Sequence, residues 1–332
     1  MKTYSVGGLT LSLPIILGAG ACKDPRQLIP YLRDDVSFGA VIAGSFTRDE
    51  RPQNEGTVQW PDDWSAFEIL GIGLNSFGMP NPGIEESLER FETVRLDRPA
   101  IASIAGFSAD EYATCASLAN QCASVSAIEV NWGCGNTGKI PDAYSYENAH
   151  VTLAALEQLC RDGRLTKPIW IKLSPYITAE ERDQLAARHP EIDFTGVPVV
   201  NPGFSEAMVR LIGRYPFVCA IVYSNTLANC RVLGLGGMPV TTPFDGRAGL
   251  SGPILKPISI RLIREAKEIL PVGSGIDLIG SGGVITGDDG VDYLEAGASA
   301  FQCTSGPAWY GKGPRFPMDL ILGSERLQER LA

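Results

Sequence analysis

The sequence is short of the residues that carry the commonest hydrolytic and metal chemistry. It has two histidines, His150 and His189, in 332 residues, and both stand in polar helical or loop surroundings. So few make a histidine-based zinc site or a Ser-His-Asp triad a poor fit. None of the eight cysteines (Cys22, Cys115, Cys122, Cys134, Cys160, Cys219, Cys230 and Cys303) belongs to a Cys-x-x-Cys pair. Zinc and iron–sulfur motifs are therefore missing, no metal is expected, and a chain of this length needs no disulfide staples. No apolar run approaches the roughly 18 residues of a membrane span. The opening stretch, MKTYSVGGLTLSLPIILGAG, has one early lysine, no clear cleavage pattern, and Pro14 in its middle. Basic runs are missing too. Twenty-eight Lys and Arg against 38 Asp and Glu leave a net charge of −10, which disfavours non-specific binding to nucleic acid or a membrane surface. These absences describe a cytoplasmic protein with no nucleic-acid or membrane partner. Its chemistry is expected to depend on an organic cofactor.

What the chain does have is alternation. Short apolar runs read as buried parallel strands at Ile15–Gly18, Ala40–Gly44, Ile101–Ala105, Ile128–Asn131, Trp170–Leu173, Ala220–Ser224, Asp277–Gly280 and Ala300–Thr304. Helical spacing follows most of them, at Pro25–Arg33, Gly83–Arg95, Asp110–Cys122, Glu147–Arg161, Ala179–Ala187, Pro257–Leu270 and Asp288–Ala296. Such alternation implies a parallel sheet with right-handed crossovers. Eight units in this length favour an α/β fold of the single (β/α)8 barrel (TIM barrel) type, with a six-stranded doubly wound sheet as the main rival. Residues 3–13 alternate around Gly7-Gly8 and read as an N-terminal β-hairpin plugging the bottom of the barrel. Residues 189–216 and 231–248 are long Gly- and Pro-rich connections, expected as loops at the catalytic face or as a small accessory sheet. No linker or low-complexity segment appears, so 1–332 reads as a single domain.

Chemistry in such barrels sits at the C-terminal strand ends. In order, these ends offer Gly18-Ala19-Gly20-Ala21-Cys22-Lys23, then Gly44-Ser45-Phe46-Thr47, then Asn131-Trp132-Gly133-Cys134-Gly135-Asn136-Thr137. Lys172, Asn225-Thr226, Gly280-Ser281-Gly282-Gly283 and Thr304-Ser305-Gly306 follow, and the loop before the third strand holds Asn75-Ser76-Phe77-Gly78-Met79-Pro80-Asn81. The set is rich in amides, with two lysines, one thiol and glycine turns, and without a carboxylate cluster. Amides donate and accept, which suits a planar ring edged with C=O and N–H groups. Glycine turns after the last two strands let backbone N–H groups approach a phosphate. Together these features suggest a flavin mononucleotide (FMN) site. Taken singly, asparagine and glycine at strand ends are also common turn formers.

From about residue 4 to residue 325 the sequence resembles the dihydroorotate dehydrogenase family. The marks are NSFGMPN at 75–81, VNWGCGNT at 130–137, IKLSP at 171–175, SNT at 224–226, GLSG at 249–252 and GSGG at 280–283, in the family's order and spacing. Dihydropyrimidine dehydrogenases carry a similar flavin barrel. The resemblance implies an FMN-dependent oxidoreductase acting on a CH–CH donor, with a dihydropyrimidine substrate stacked on the flavin, as in pyrimidine biosynthesis. It implies that Lys23, Asn75, Gly78, Met79, Asn131, Asn136, Asn225 and Thr226 surround the substrate. The cofactor would be held by Ala19, Gly20, Lys23, Ser45, Asn131, Lys172, Ser251, Gly252, Gly282, Gly283, Thr304 and Ser305. Cys134 would take the proton from substrate carbon while hydride leaves to the flavin. Soluble members use cysteine at this position and membrane-associated members serine.

The chain also departs from the family. Soluble members carry a lysine where Gly44 stands, whereas membrane-associated members place theirs where Lys23 stands, so Lys23 is read as supplying that charge. The usual Ser-Cys-Pro or Ser-Ser-Pro has become Gly133-Cys134-Gly135, which is expected to loosen the loop and leaves substrate identity open. Membrane-associated members add an N-terminal helical pair that forms a quinone channel. The hairpin here starts within a few residues of Met1, so that pair is expected to be missing. Electrons would then leave to a small soluble oxidant, fumarate being the family's precedent, or through another subunit, and a homodimer is left open as an assembly. Two other readings stay open: a relative acting on another dihydropyrimidine, cyclic amide or enone, and a barrel that binds flavin or pyrimidine without chemistry.

Overall fold

The computed structural model describes residues 2–32, 38–95, 97–135, 137, 140–234 and 236–332. Eight parallel strands close into a barrel. They are β1 (Ile15–Cys22), β2 (Ala40–Phe46), β3 (Ala100–Ile104), β4 (Ala127–Asn131), β5 (Ile169–Lys172), β6 (Val218–Tyr223), β7 (Asp277–Ser281) and β8 (Ala300–Cys303). Each pairs with the next, and β8 returns to β1 through Phe301 opposite Ile15. That closing pair excludes the doubly wound sheet. All eight strands stand where the apolar runs place them, with β1 extending to Cys22 across an irregular register against β2.

The strands alternate between two apolar environments, as a pleated strand must. Ile15 and Leu17 of β1 pack outward with the helices, while Ile16 faces the barrel interior with Ile42, Ile101, Trp170, Val222 and Ile279. Of the expected helices, six are α-helical: Ile84–Thr93, Ala109–Gln121, Tyr146–Arg161, Ala179–Arg188, Lys256–Ile269 and Gly287–Ala296. The stretch expected over Pro25–Arg33 is a 3₁₀ helix over Pro25–Leu32 with Pro30 inside it, and Arg33 lies outside the described residues. Proline has no N–H for an α-helical bond, so the tighter turn is the natural outcome. Among the described residues, four short α-helices lie outside the expected stretches: Trp64–Leu70, Phe204–Ile212, Phe316–Leu322 and Glu325–Leu331. Phe204–Ile212 falls within a connection read as loop. It starts directly after Asn201-Pro202-Gly203 but buries Met208, Val209, Leu211 and Ile212, and that apolar face outweighs the turn-forming residues before it.

The hairpin is as read, with Tyr4–Val6 antiparallel to Leu9–Leu11. Val6 and Leu11 fill the bottom of the interior beside Trp170. The Trp170 indole donates to the Gly7 carbonyl at 2.8 Å, and the Gly7 N–H donates to Asp277 at 2.7 Å. Gly7 has φ +54°, and a side chain there would strike the indole. The accessory sheet also exists, as five antiparallel strands in the order Ile192–Asp193, Leu227–Val232, Ala248–Ser251, Gly73–Asn75, Gln59–Trp60. Only its first strand lies wholly within the long connections; the second and third overlap their ends, and the last two lie outside them. Among the described residues no helix is long and apolar enough to cross a membrane.

Candidate active site

Following the inward positions up each strand shows how the mouth is built. Inward side chains run Ala127, Glu129, Asn131 on β4, Trp170, Lys172 on β5, Ile101, Ser103 on β3, and Ala300, Gln302 on β8. The first member of each set belongs to the apolar interior and the later members are buried polar groups. At the apolar-to-polar boundary, Lys172 donates to Gln302 Oε1 at 2.8 Å and lies 3.7 Å from Glu129. Gln302 donates in turn to Glu129 Oε2 at 2.7 Å. Ser103 Oγ lies 3.3 Å from Glu129 and 2.9 Å from Ser45 Oγ. Asn131 donates to Ser45 at 2.7 Å, and Asn225 donates to Asn131 Oδ1 at 2.9 Å. Asn225 Oδ1 accepts from the Thr226 N–H at 2.7 Å. One hydrogen-bonded chain thus runs from Thr226 to Lys172. In a low-dielectric interior such a network fixes its members' orientation. Asn131 and Asn225 each keep a second amide N–H beyond these bonds.

Above the network a pocket opens at the barrel mouth. Most of the expected residues line it: Ala19, Gly20, Lys23, Ser45, Asn75, Met79, Asn131, Cys134, Lys172, Asn225, Thr226, Ser251, Gly252, Gly282, Gly283, Thr304 and Ser305. Gly78 does not, although its neighbours Phe77 and Met79 do; a side chain at Gly78 would meet Asn54, away from the opening. Asn136 lies outside the described residues. Phe67, Leu255, Val284 and Ile285 add apolar wall that carries no motif, and Phe67 comes from one of the unexpected short helices. Ser224 and Ser281 stood within quoted motifs without a role. Glu129 and Gln302 were missed altogether. The signal that finds them is a polar residue two positions beyond an inward apolar one on a buried strand.

The end of the cavity at β7 and β8 is a glycine cradle. Gly252 and Gly282 both have φ +110° and Gly283 has φ +69°. A Cβ at Gly252 would meet the Gly71 carbonyl, and one at Gly283 the Gly252 carbonyl. The N–H groups of Gly252, Gly282 and Gly283 donate to no protein acceptor among the described residues. Tyr293 occupies the carbonyls behind them, reaching Gly282 O at 2.7 Å. Backbone N–H donors without partners beside Ser251, Thr304 and Ser305 fit a phosphate monoester.

At the other end, Lys23 is recessed in the wall with its ammonium 5.8 Å from the centre of the Phe77 ring. Among the described residues no carboxylate pairs with it. Burial pulls its pKa below the ordinary lysine value; thiolate charge at Cys134 and Cys22 opposes this, and Lys172 adds to it. Cys134 is half-buried, whereas Cys22 and Cys303 are buried. Burial pushes Cys22 up to about 12 and raises Cys303 as well. Gly133 and Gly135 are themselves closely packed, against the expectation that they loosen the chain there. A Cβ on Gly133 would stand 2.7 Å from Asn225 Cβ and 3.0 Å from the Leu173 carbonyl, and one on Gly135 would run into Ala228. The two glycines let the loop pack against the segment that carries Asn225.

A parallel barrel with a polar mouth and glycine turns after its last strands is the architecture of phosphate-binding barrel enzymes. Known sequences narrow that class. The family model for dihydroorotate dehydrogenase matches residues 1–216 and 205–323, and the chain belongs to the dihydroorotate dehydrogenase family, oxidoreductases acting on CH–CH donors. The catalytic subunit of dihydroorotate dehydrogenase B (NAD(+)) from Geobacillus kaustophilus is 29% identical over 295 residues, spanning 88% of this chain and 80% of that one. Its counterpart from Listeria monocytogenes serotype 4b is 29% identical over 304 residues, spanning 89% and 84%. Among solved structures, the Eimeria tenella enzyme in complex with ferulenol superimposes with a TM-score of 0.70 at 17% identity, covering 97% of this chain and 82% of that one. At that identity the likeness speaks for the fold alone.

Proposed function

We propose that the protein oxidises dihydroorotate to orotate within one FMN-binding barrel domain spanning residues 1–332, with Cys134 as the base. The observation that carries this reading is one cavity lined by a half-buried thiol, two amides bonded to each other, and a cation that has no carboxylate partner among the described residues. Flavin bound there would supply the two-electron acceptor. Gly252, Gly282 and Gly283, with Ser251, Thr304 and Ser305, would hold its phosphate, and Lys172 would face its ring from the barrel axis. Asn131 and Asn225 orient the substrate ring through their remaining N–H groups, and Asn75 adds a third amide. Asn75 is itself anchored through the Gly249 carbonyl at 3.2 Å. Lys23 attracts the substrate carboxylate. Cys134 takes the proton from ring carbon, a contribution of roughly 10²–10⁴-fold for a well-placed base.

The named relatives are catalytic subunits of an NAD(+)-linked enzyme. That favours electron exit through a partner subunit over a small oxidant. The test is anaerobic mixing of the purified yellow protein with dihydroorotate, dihydrouracil or a simple enone. Bleaching by dihydroorotate in preference to the others supports the reading. Preference for another compound moves the substrate, and a colourless protein that cannot be reconstituted with FMN removes flavin chemistry altogether.

A further inference from the structure

The thiol that takes the substrate proton must lose it before the next turnover, and the main cavity then holds product. A second, small cavity adjoins the first and shares Met79, Asn131 and Cys134 with it. Tyr112, Trp132 and Asp142 are among its remaining walls. Cys134 therefore faces both spaces. The side cavity is polar where it matters. Asp142 is half-buried and is its only carboxylate among the described residues. Its two oxygens accept from Tyr112 at 3.3 Å and from Asn148 at 3.0 Å. Tyr112 is buried, and the same hydroxyl lies 3.1 Å from the Asn131 carbonyl. Burial and then the Asp142 charge hold this phenol well above its ordinary pKa, so it acts as a donor that fixes Asp142. The Trp132 indole N–H is buried without a partner among the described residues. A space lined by the Asp142 carboxylate, the Tyr112 hydroxyl and the Cys134 thiol suits water.

We propose that the side cavity is the proton exit of the enzyme and that Asp142 is the group receiving the proton from Cys134. The inference rests on the reading of Cys134 as base. The Cys134 S–H bond breaks, an O–H bond forms on the Asp142 carboxylate by way of intervening water, and the proton passes from its exposed side to solvent. No oxidation state changes, and both groups end as they began. Asp142 is a positioning residue in this scheme, because it acts on substrate only through Cys134.

The test is steady-state turnover of the flavin-loaded enzyme with dihydroorotate and an artificial electron acceptor. It is run in a dilute bulky buffer and again with added imidazole. For Asp142→Asn, turnover should fall about a hundredfold or more in the bulky buffer, as for loss of a proton-transfer group. Imidazole, small enough to enter the cavity, should restore most of it. Asp142→Glu should keep turnover independent of imidazole. Glu147→Gln, an exposed change nearby, should match the parent under both conditions. A fall in Asp142→Asn that imidazole does not restore marks a structural role and overturns the proposal, as does unaltered turnover in the bulky buffer. If the parent enzyme is not reduced by dihydroorotate, the assignment of function fails first. If the parent is reduced and Asp142→Asn shows no imidazole dependence, the proton exit alone fails.

Discussion

The ammonium of Lys172 lies 3.7 Å from the carboxylate of Glu129 at the barrel axis, and Gln302 is hydrogen-bonded to both. Both charges are essentially out of solvent. Among the described residues, their near-cancellation leaves Lys23 at the mouth as a positive group without a carboxylate partner.

Glu129→Gln keeps the shape of the network and removes its negative charge. Leaving Lys172 unpaired in the interior should lower stability by about 3–5 kcal/mol, measured as a reduced denaturant midpoint. The same uncompensated charge favours the reduced flavin. Its two-electron midpoint should rise by tens of mV, at about 30 mV per 1.4 kcal/mol. A potentiometric titration giving the parent value would show that the pair does not act on the cofactor.

The cofactor should be one noncovalent FMN per chain, because the cradle at β7 and β8 has donors for a single phosphate. Denaturation followed by mass spectrometry should release the free mononucleotide. Recovery of flavin adenine dinucleotide or of a covalent adduct contradicts this.

Lys23→Ala should weaken orotate binding about ten- to hundredfold, the worth of a charged hydrogen bond at roughly 1.5–3 kcal/mol. Binding should also depend on pH in a particular sense. The Lys23 pKa lies below the ordinary 10.5 because of burial, and only the protonated form attracts a carboxylate. Orotate affinity of the parent should therefore decline as pH rises through that lowered value, earlier than for a solvated lysine. For the free protein the linkage runs the other way: the unfolded chain holds this proton more tightly, so stability from this group rises with pH between the lowered pKa and 10.5. Isothermal titrations across the alkaline range check the binding, and Lys23→Ala should lack the decline.

Cys134→Ala should retain flavin and bind orotate while reducing its flavin about 10²–10⁴-fold more slowly. Cys134→Ser should keep partial activity with its optimum moved upward, since a hydroxyl is the weaker acid. Cys115→Ala and Cys160→Ala, on the helices Ala109–Gln121 and Tyr146–Arg161, should leave turnover nearly intact. Single-turnover bleaching of Cys134→Ala at the parent rate would falsify the assignment of the base.

Much of the barrel was legible because a parallel strand buried on both faces is nearly all apolar, and eight such runs stand out. The hairpin was legible from Gly7-Gly8 between alternating residues. Short elements were not. Trp64–Leu70 and Phe204–Ile212 are too brief for helical spacing to rise above local turn signals, yet the first supplies Phe67 to the cavity wall. The site was legible where it lies on strand ends, as with Asn131, Lys172 and Gly282. Glu129 and Gln302 were hidden inside strands, where apolar character dominates a reading by runs. The tightness of Gly133 and Gly135 depends on Asn225 and Ala228, some ninety positions away, and no local pattern encodes that contact.

Gly44→Lys, which places a lysine where the family resemblance leads one to expect it, should impair the protein. Gly44 has φ +114°, and any side chain there would run into the Ser103 carbonyl. Strain of roughly 1–3 kcal/mol is expected, visible as a lower melting temperature without gain in substrate affinity. A variant as stable as the parent with tighter orotate binding would show that the mouth accepts lysine at either strand.

The bond between the Gly7 N–H and Asp277 spans 270 positions of sequence, and Trp170 grips the same glycine. During synthesis the hairpin leaves the ribosome 270 positions ahead of the carboxylate that secures it. The apolar faces of Val6 and Leu11 must therefore wait without their final partners through most of translation. Closure of the barrel and seating of the hairpin should then form one late, cooperative event. A nascent chain stalled before Asp277 should remain sensitive to protease at its N-terminus, while one extended past β8 should not.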